Sequence, residues 1–179
     1  MRLLMDGEGL SWEEAWDITC RTISYTNHTI MPEALEKWPV SLMRSLLPRQ
    51  FQVIEEIDRR FWEEMRWKGV EESKIYRMAP IGDGYVKMAN LAVIGSHSVN
   101  GVSALHSEIL KEDVFHDFYM EEPQKFTNVT NGIAHRRWLN QSNPKLSGLI
   151  TDLIGSEYIY DAGKLSGLLR YKDDEAVLE

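Results

Sequence analysis

The sequence predicts a predominantly α-helical chain with little strand, and three observations carry that expectation. After Pro48, the residues Phe51, Ile54, Ile57, Phe61 and Met65 recur at helical spacing and form one apolar face. Ser11-Trp-Glu-Glu14 has the spacing of a capping box, in which serine and glutamate satisfy each other's backbone amides at a helix start. Strand signals are few. Gly82-Asp-Gly84 has turn chemistry, and Tyr85 to Met88 beside it is the best strand candidate.

Taken in order, the first helix runs from the Ser11 cap to about Ser24, with Trp12, Ala15, Trp16, Ile18 and Thr19 at helical spacing and Glu13 and Glu14 at its positive end. Tyr25 to Met31 breaks the pattern and reads as a polar connector. Pro32 suits the first turn of a short helix over Glu33 to Glu36. Trp38-Pro39 then interrupts it, because proline turns its predecessor away from helix. Ser41 to Leu47 reads as a short helix, Pro48 opens the long one, and Gly69 to Met78 is a helical or irregular excursion. Ala89 to Ile94 is almost continuously apolar, and Gly95 to Gly101 interrupts it. Val102 to Lys111 reads as helix. Asn143-Pro144 starts another through Ile154, and the tail from Asp161 to Glu179 reads as helical and polar.

A chain of 179 residues that is 43% hydrophobic and 27% charged has the composition of a globular protein, enough for one domain or a large part of one. No repeat, linker or low-complexity stretch marks an internal boundary. The formal net charge of −8 argues against a nucleic-acid backbone or an anionic membrane as the main partner, since both would be repelled. No apolar run approaches a membrane span, and Met1 to Leu10 contains Asp6 and Glu8 rather than a signal-peptide core. The single cysteine, Cys20, reads as a small buried hydrophobe and fits a reducing, cytoplasmic setting. Most of the six tryptophans lie at amphipathic helix positions and are expected in the core. The apolar Leu3, Leu4 and Met5 have no preceding element, and Asp173 to Glu179 has no stop signal. Both edges read as cut, so a fragment is expected.

Several short motifs could carry chemistry. Asn27-His28-Thr29 gathers donors and acceptors able to read a sugar hydroxyl or a carbonyl, or His28 simply caps the turn near Pro32. Gly95-Ser-His-Ser-Val-Asn-Gly-Val102 is a glycine-flanked loop entering a helix, suited either to an anion or to close backbone packing. Asn131-Gly132 is turn chemistry. His106 and Glu108 stand two apart on a helix and do not share a face, so no metal site is expected.

Three longer strings point further. The first is Tyr25-Thr-Asn-His-Thr-Ile-Met-Pro-Glu-Ala-Leu-Glu-Lys-Trp-Pro39. The second is Met88-Ala-Asn-Leu-Ala-Val-Ile-Gly-Ser-His-Ser-Val-Asn-Gly-Val102, continuing to Leu105-His-Ser-Glu-Ile109. The third is Lys125-Phe-Thr-Asn-Val-Thr-Asn-Gly-Ile133 with Arg136-Arg-Trp-Leu139 and Asn143-Pro144. In order and spacing they resemble the α-glucan phosphorylases of glycogen, starch and maltodextrin, from about Leu3 to the end. The resemblance implies an α/β, glycosyltransferase B-type enzyme with a Rossmann-like N-terminal domain. Residues 1–179 would be a single partial domain from the late part of that N-terminal catalytic domain, roughly a fifth to a quarter of a family chain. It implies phosphorolysis of a terminal α-1,4-linked glucose to glucose 1-phosphate, pyridoxal phosphate as cofactor through its 5′-phosphate, and a homodimer.

Residue by residue, His28 matches a family histidine that faces the bound glucose near its 6-hydroxyl, and it is the catalytic candidate. Asn131 matches an asparagine bonded to the same hydroxyl, and Val102 lines that subsite. Asn27 and Thr29 flank the histidine, Glu36 matches a carboxylate at the side pocket, and Trp138 matches a tryptophan beside the cofactor phosphate. There are departures. Ala134-His135 stands where the family often has Thr-Pro. Gln52 is compatible with the glycogen-storage site of animal enzymes, whereas Glu55, Asp58 and Arg59 are not. The family's cofactor lysine, its phosphate-binding basic residues and its glycine-rich loop have no match in this chain, so the isolated chain is expected to be inactive.

Overall fold

A computed structural model describes residues 1–178. Contacts divide the chain into two compact units, one from Met1 to Asn131 and one from Gly132 onward. No linker composition marks that point; Asn131-Gly132 is a turn pair.

In the first unit, helix α1 (Trp12–Thr22) begins at the predicted capping box. The Ser11 hydroxyl oxygen accepts from the Glu14 amide at 3.3 Å, and the Glu14 carboxylate accepts from the Ser11 amide at 3.1 Å. Helices α2 (Val40–Leu46) and α3 (Pro48–Trp67) follow as expected, separated only by Leu47, with Pro48 in the first turn of α3 where its missing N–H costs nothing. The apolar stripe of α3 is buried along its length and joins two clusters. Phe51 and Ile54 pack on Val86, while Phe61 and Met65 enter the main core with Ile75, Val99, Phe115 and Phe126. Each such side chain contributes on the order of 1.5–3 kcal/mol by leaving water. Helix α4 (Glu72–Met78) settles the Gly69–Met78 excursion as helix after a turn.

Two small sheets complete this unit, with six strands between them. The first two are β1 (Tyr25–Thr26) and β2 (Lys37–Pro39), followed by β3 (Ile81–Gly82) and β4 (Tyr85–Lys87). The last two are β5 (Val99–Gly101) and β6 (Phe126–Asn128). One sheet is antiparallel, order β2-β4-β3. Its hairpin turns at Asp83 (φ 55°) and Gly84 (φ 79°), the two positive values a tight twisted hairpin requires. The other is parallel, order β1-β5-β6, pairing Tyr25 with Val99 and Val99 with Phe126. Helix α5 (Met88–Ile94) leads into β5. Helix α6 (Ala104–Ile109), a π-helical stretch over Leu110–Val114 and α7 (His116–Glu121) form the crossover from β5 to β6.

The structure corrects several expectations. Tyr25–Thr26 is a strand inside the supposed connector, because Val99–Gly101 supplies a partner that local sequence does not reveal. Glu33 to Glu36 is not helix; Pro32–Ala34 makes one 3₁₀ turn and Lys37–Pro39 pairs with Tyr85–Lys87 instead. The helix expected from Val102 starts at Ala104, since the Ser103 side chain caps it by accepting from the His106 amide at 3.1 Å. Trp67, Trp138 and Trp38 are exposed, and Trp12, Trp16 and Trp62 are only half-buried. Two of these indole faces are covered by guanidinium groups, Arg60 over Trp12 at 4.8 Å and Arg66 over Trp62 at 4.9 Å.

In the second unit a π-helical turn over Arg136–Gln141 precedes α8 (Pro144–Ile154), which starts where Asn143-Pro144 predicts, the Asn143 side chain accepting from the Leu146 amide at 3.2 Å. Tyr158 is fully buried there, its hydroxyl 2.8 Å from the Ser147 hydroxyl. His135 has its Nε2 3.1 Å from the Ile159 carbonyl oxygen. The tail is a 3₁₀ helix over Ala162–Tyr171 followed by α9 (Glu175–Leu178); Glu179, the last residue of the expected tail, lies outside the described residues.

Candidate functional site

Because β1, β5 and β6 run parallel, their carboxyl ends share one edge of the sheet, where open α/β sheets bind their ligands. His28 lies two residues beyond β1, Val102 follows β5 directly, and Asn131 lies three residues beyond β6. Backbone bonds hold the three loops together. The Asn27 amide donates to the Asn100 carbonyl at 2.9 Å, Val129 to Gly101 at 3.2 Å, and Asn131 to Val102 at 3.1 Å.

Side chains reinforce the edge. Thr26 Oγ1 donates to Asn100 Oδ1 at 2.8 Å. Asn27 is 1% exposed, so its amide group must find partners within the protein. Its Nδ2 donates to the Tyr25 hydroxyl at 3.1 Å, and its Oδ1 accepts from the Thr29 amide at 2.9 Å. His106 Nε2 stands 3.1 Å from the same Oδ1, and His106 Nδ1 stands 3.2 Å from the Val102 amide nitrogen. Behind them, Ser107 Oγ lies 2.9 Å from Asn128 Oδ1, tying α6 to the end of β6.

His28, Thr29 and His106 line a cavity of about 300 Å³ with Ile30, Ser103, Leu105 and Ile109. His28 is exposed and does not cap the Pro32 turn, which has no side-chain cap. Its imidazole is free to offer a donor and an acceptor to a ligand. Among the described residues, no carboxylate or lysine lines this cavity. Its chemistry suits hydroxyl recognition rather than bond cleavage unaided. Two other cavities of this unit, about 310 and about 390 Å³, are lined by no residue of the three loops.

The remaining candidates fall elsewhere. Glu36 is exposed just before β2, accepts from the Trp38 indole N–H, and does not line the cavity. Trp138 belongs to the second unit and is 70% exposed. Asn131 is exposed beyond β6 and is held through its backbone. Among the described residues no three His, Cys, Asp or Glu side chains converge as a metal site requires, and no helix is long and apolar enough to cross a membrane.

Sequence reasoning misses His106 and Asn100. In the sequence His106 is weighed only as a metal ligand and set aside, and its partner Asn27 lies 79 residues away. The available signal is a histidine in the first turn of a helix that follows a glycine-ended loop.

A sequence profile of the family described as carbohydrate phosphorylase matches residues 1–179. Glycogen phosphorylase of Bacillus subtilis (strain 168) is 52% identical over 185 residues, covering 100% of this chain and 23% of that protein. The muscle forms of Bos taurus and Mus musculus are 50% and 51% identical over 183 residues, covering 99% of this chain and 22% of each. The chain therefore spans less than a quarter of the length of these relatives. With a match along its whole length and half of its residues identical to those of glycogen phosphorylases, the chain belongs to the carbohydrate phosphorylase family.

Proposed function

We propose that this chain supplies part of the glucose subsite of an α-1,4-glucan phosphorylase, within the N-terminal catalytic domain of a glycosyltransferase B-type enzyme. The reaction of the whole enzyme is cleavage of a terminal glucose from glycogen, starch or maltodextrin by phosphate, giving glucose 1-phosphate. The observation that carries the reading is the convergence of the His28, Val102 and Asn131 loops on one edge of a parallel sheet. In the reading His28 and Asn131 bond the 6-hydroxyl of the glucose, with Val102 packing beside it. Asn27 and Thr29 hold the histidine loop, and Glu36 belongs to an adjoining side pocket. A hydroxyl read by hydrogen-bonding partners gives strong selection, because an analogue lacking it leaves those partners unpaired.

Pyridoxal phosphate would supply proton transfer through its phosphate. The described residues do not by themselves fit that group: Trp138, the one residue matched to its surroundings, is an exposed indole. The isolated chain is inactive on this reading. The working enzyme would be a cytoplasmic homodimer, with the glucan and phosphate as its ligands.

The test is a chimera in which this chain replaces the matching segment of the Bacillus subtilis enzyme. It should release glucose 1-phosphate from maltoheptaose and phosphate and lose that activity with His28→Ala, while the chain alone with pyridoxal phosphate releases none. A folded, cofactor-loaded chimera without activity would sink the reading, as would one indifferent to His28→Ala. The lining of the His28 cavity, which holds no carboxylate or lysine among the described residues, favours one alternative, a non-catalytic carbohydrate-binding or structural remnant module. Saturable maltooligosaccharide binding by the chain alone, lost with His28→Ala, would mark that module.

A further inference from the structure

The Asn27 side chain has a fixed orientation. Its Oδ1 faces the Thr29 backbone N–H, which can only donate, and its Nδ2 faces the Tyr25 hydroxyl. His106 Nε2, 3.1 Å from that Oδ1, must therefore carry a proton and donate. The other ring nitrogen leads to the same tautomer independently. His106 Nδ1 faces the Val102 backbone N–H at 3.2 Å and must be the bare acceptor. Both bonds exist together only in the neutral ring protonated at Nε2, and a proton on Nδ1 would set two donors against each other. The Ser103 hydroxyl oxygen accepts from the His106 backbone amide at 3.1 Å and fixes the base of the side chain.

We propose that His106 is a positioning residue: held as the Nε2–H tautomer, it clamps the loop after β1 to the loop after β5 and so places His28 for the glucose. Its bond to Asn27 is the one that crosses between the two loops, while its bond to Val102, four residues back on its own segment, only orients the ring. This role rests on the glucan-phosphorylase reading above. A ring that does not touch the reacting bond still governs the rate, because misplacing a binding group by about 1 Å costs on the order of 10²-fold.

Two side chains separate the two bonds. In His106→Gln an amide N–H reaches the position of Nε2 and keeps the bond to Asn27, whereas His106→Asn keeps an acceptor for Val102 and falls short of Asn27. His106→Leu loses both. In the chimera described above, His106→Leu and His106→Asn should lower kcat/KM for maltoheptaose by about 10²-fold, and His106→Gln should retain most of it. In the ¹⁵N-labelled chain itself, ring correlations should show a protonated Nε2 and a bare Nδ1. Amide resonances of His28 and Thr29 should move in the leucine and asparagine variants and stay near their wild-type positions in the glutamine variant. The opposite tautomer, or equal effects of all three substitutions, would overturn the proposal. His28→Ala in the same chimera separates the two claims. Activity lost there but unchanged in His106→Leu refutes the clamp alone; activity unchanged in His28→Ala refutes the functional reading, leaving the ring measurement to decide the tautomer.

Discussion

Gly101 ends β5 directly against Ser107 of α6, so closely that a Cβ on Gly101 would lie 2.6 Å from Ser107 Oγ and 2.9 Å from its Cα and N. Two of those atoms are backbone and cannot swing aside. The glycine lets the crossover helix sit on the strand end, which in turn sets where Val102 and His106 stand. Gly101→Ala should therefore destabilise the first unit by about 1–3 kcal/mol, the usual range for forcing atoms into a packed site. Urea denaturation followed by tryptophan fluorescence checks this, and an unchanged midpoint would show that α6 shifts freely.

Asp58 has a local structural role on α3. Its Oδ1 accepts from the Ile81 amide at 2.9 Å, fastening α3 to the hairpin. Burial raises the Asp58 carboxyl above the usual range, against the opposing pull of the Ile81 amide and Lys87. With the folded value above the unfolded one, the folded state holds the proton more readily. The ionised side chain therefore costs stability at neutral pH, and that cost is relieved as pH falls through the folded value toward the unfolded one. Asp58→Asn keeps an acceptor without the charge and should match or exceed the wild type at neutral pH, its advantage shrinking in acid. Asp58→Ala loses the acceptor and should cost about 1–2 kcal/mol. Denaturation at neutral and acidic pH decides, and an asparagine advantage that grows in acid would reverse that sign.

The elements legible in the sequence are those written in local signals. The capping box at Ser11 and the stripe from Phe51 to Met65 need no distant partner, and both helices start where they predict. Tyr25–Thr26 is illegible because a two-residue strand exists only through its neighbour, and Thr26 meets Asn100 across 74 positions. Ala89 to Ile94 is apolar but for Asn90, so it carries no clear period to distinguish helix from strand. At the site the same division holds. His28, Val102 and Asn131 are marked by a family resemblance, and only the parallel pairing puts their loops on one edge. Glu36, named by the same resemblance, faces Trp38 instead of the cavity, and His106 emerges only from bonds between loops far apart in sequence.

Cys20 lines a second cavity with Trp16, Phe61, Ser96 and Lys125, at some remove from the three loops. Burial pushes its thiol up, more than the Lys125 charge draws it down. Since the thiolate is the nucleophile, the native chain should react with iodoacetamide at neutral pH more slowly than free cysteine does, and urea should restore the ordinary rate. Mass spectrometry of timed samples follows this. A native rate equal to the unfolded one would mean that the cavity opens faster than the reagent reacts.

On the proposed function His28 and Asn131 share one hydroxyl of the glucose, and neither substitution alone exposes that sharing. The two residues follow β1 and β6, on either side of β5, so a single group would be bonded from two separate loops. In the chimera, a maltooligosaccharide ending in 6-deoxyglucose should be used at least about 10²-fold less well than the parent sugar, since both partners are left without their bond. His28→Ala and Asn131→Ala should each harm the parent substrate more than the 6-deoxy one, because the deoxy sugar has already lost the interaction that the substitution removes. The preference ratio then shrinks in both variants, as expected when two changes act on one contact. Measured kcat/KM for the two sugars in the three proteins closes the cycle. A ratio unchanged by either substitution would place the 6-hydroxyl elsewhere, whatever the loss in absolute rate.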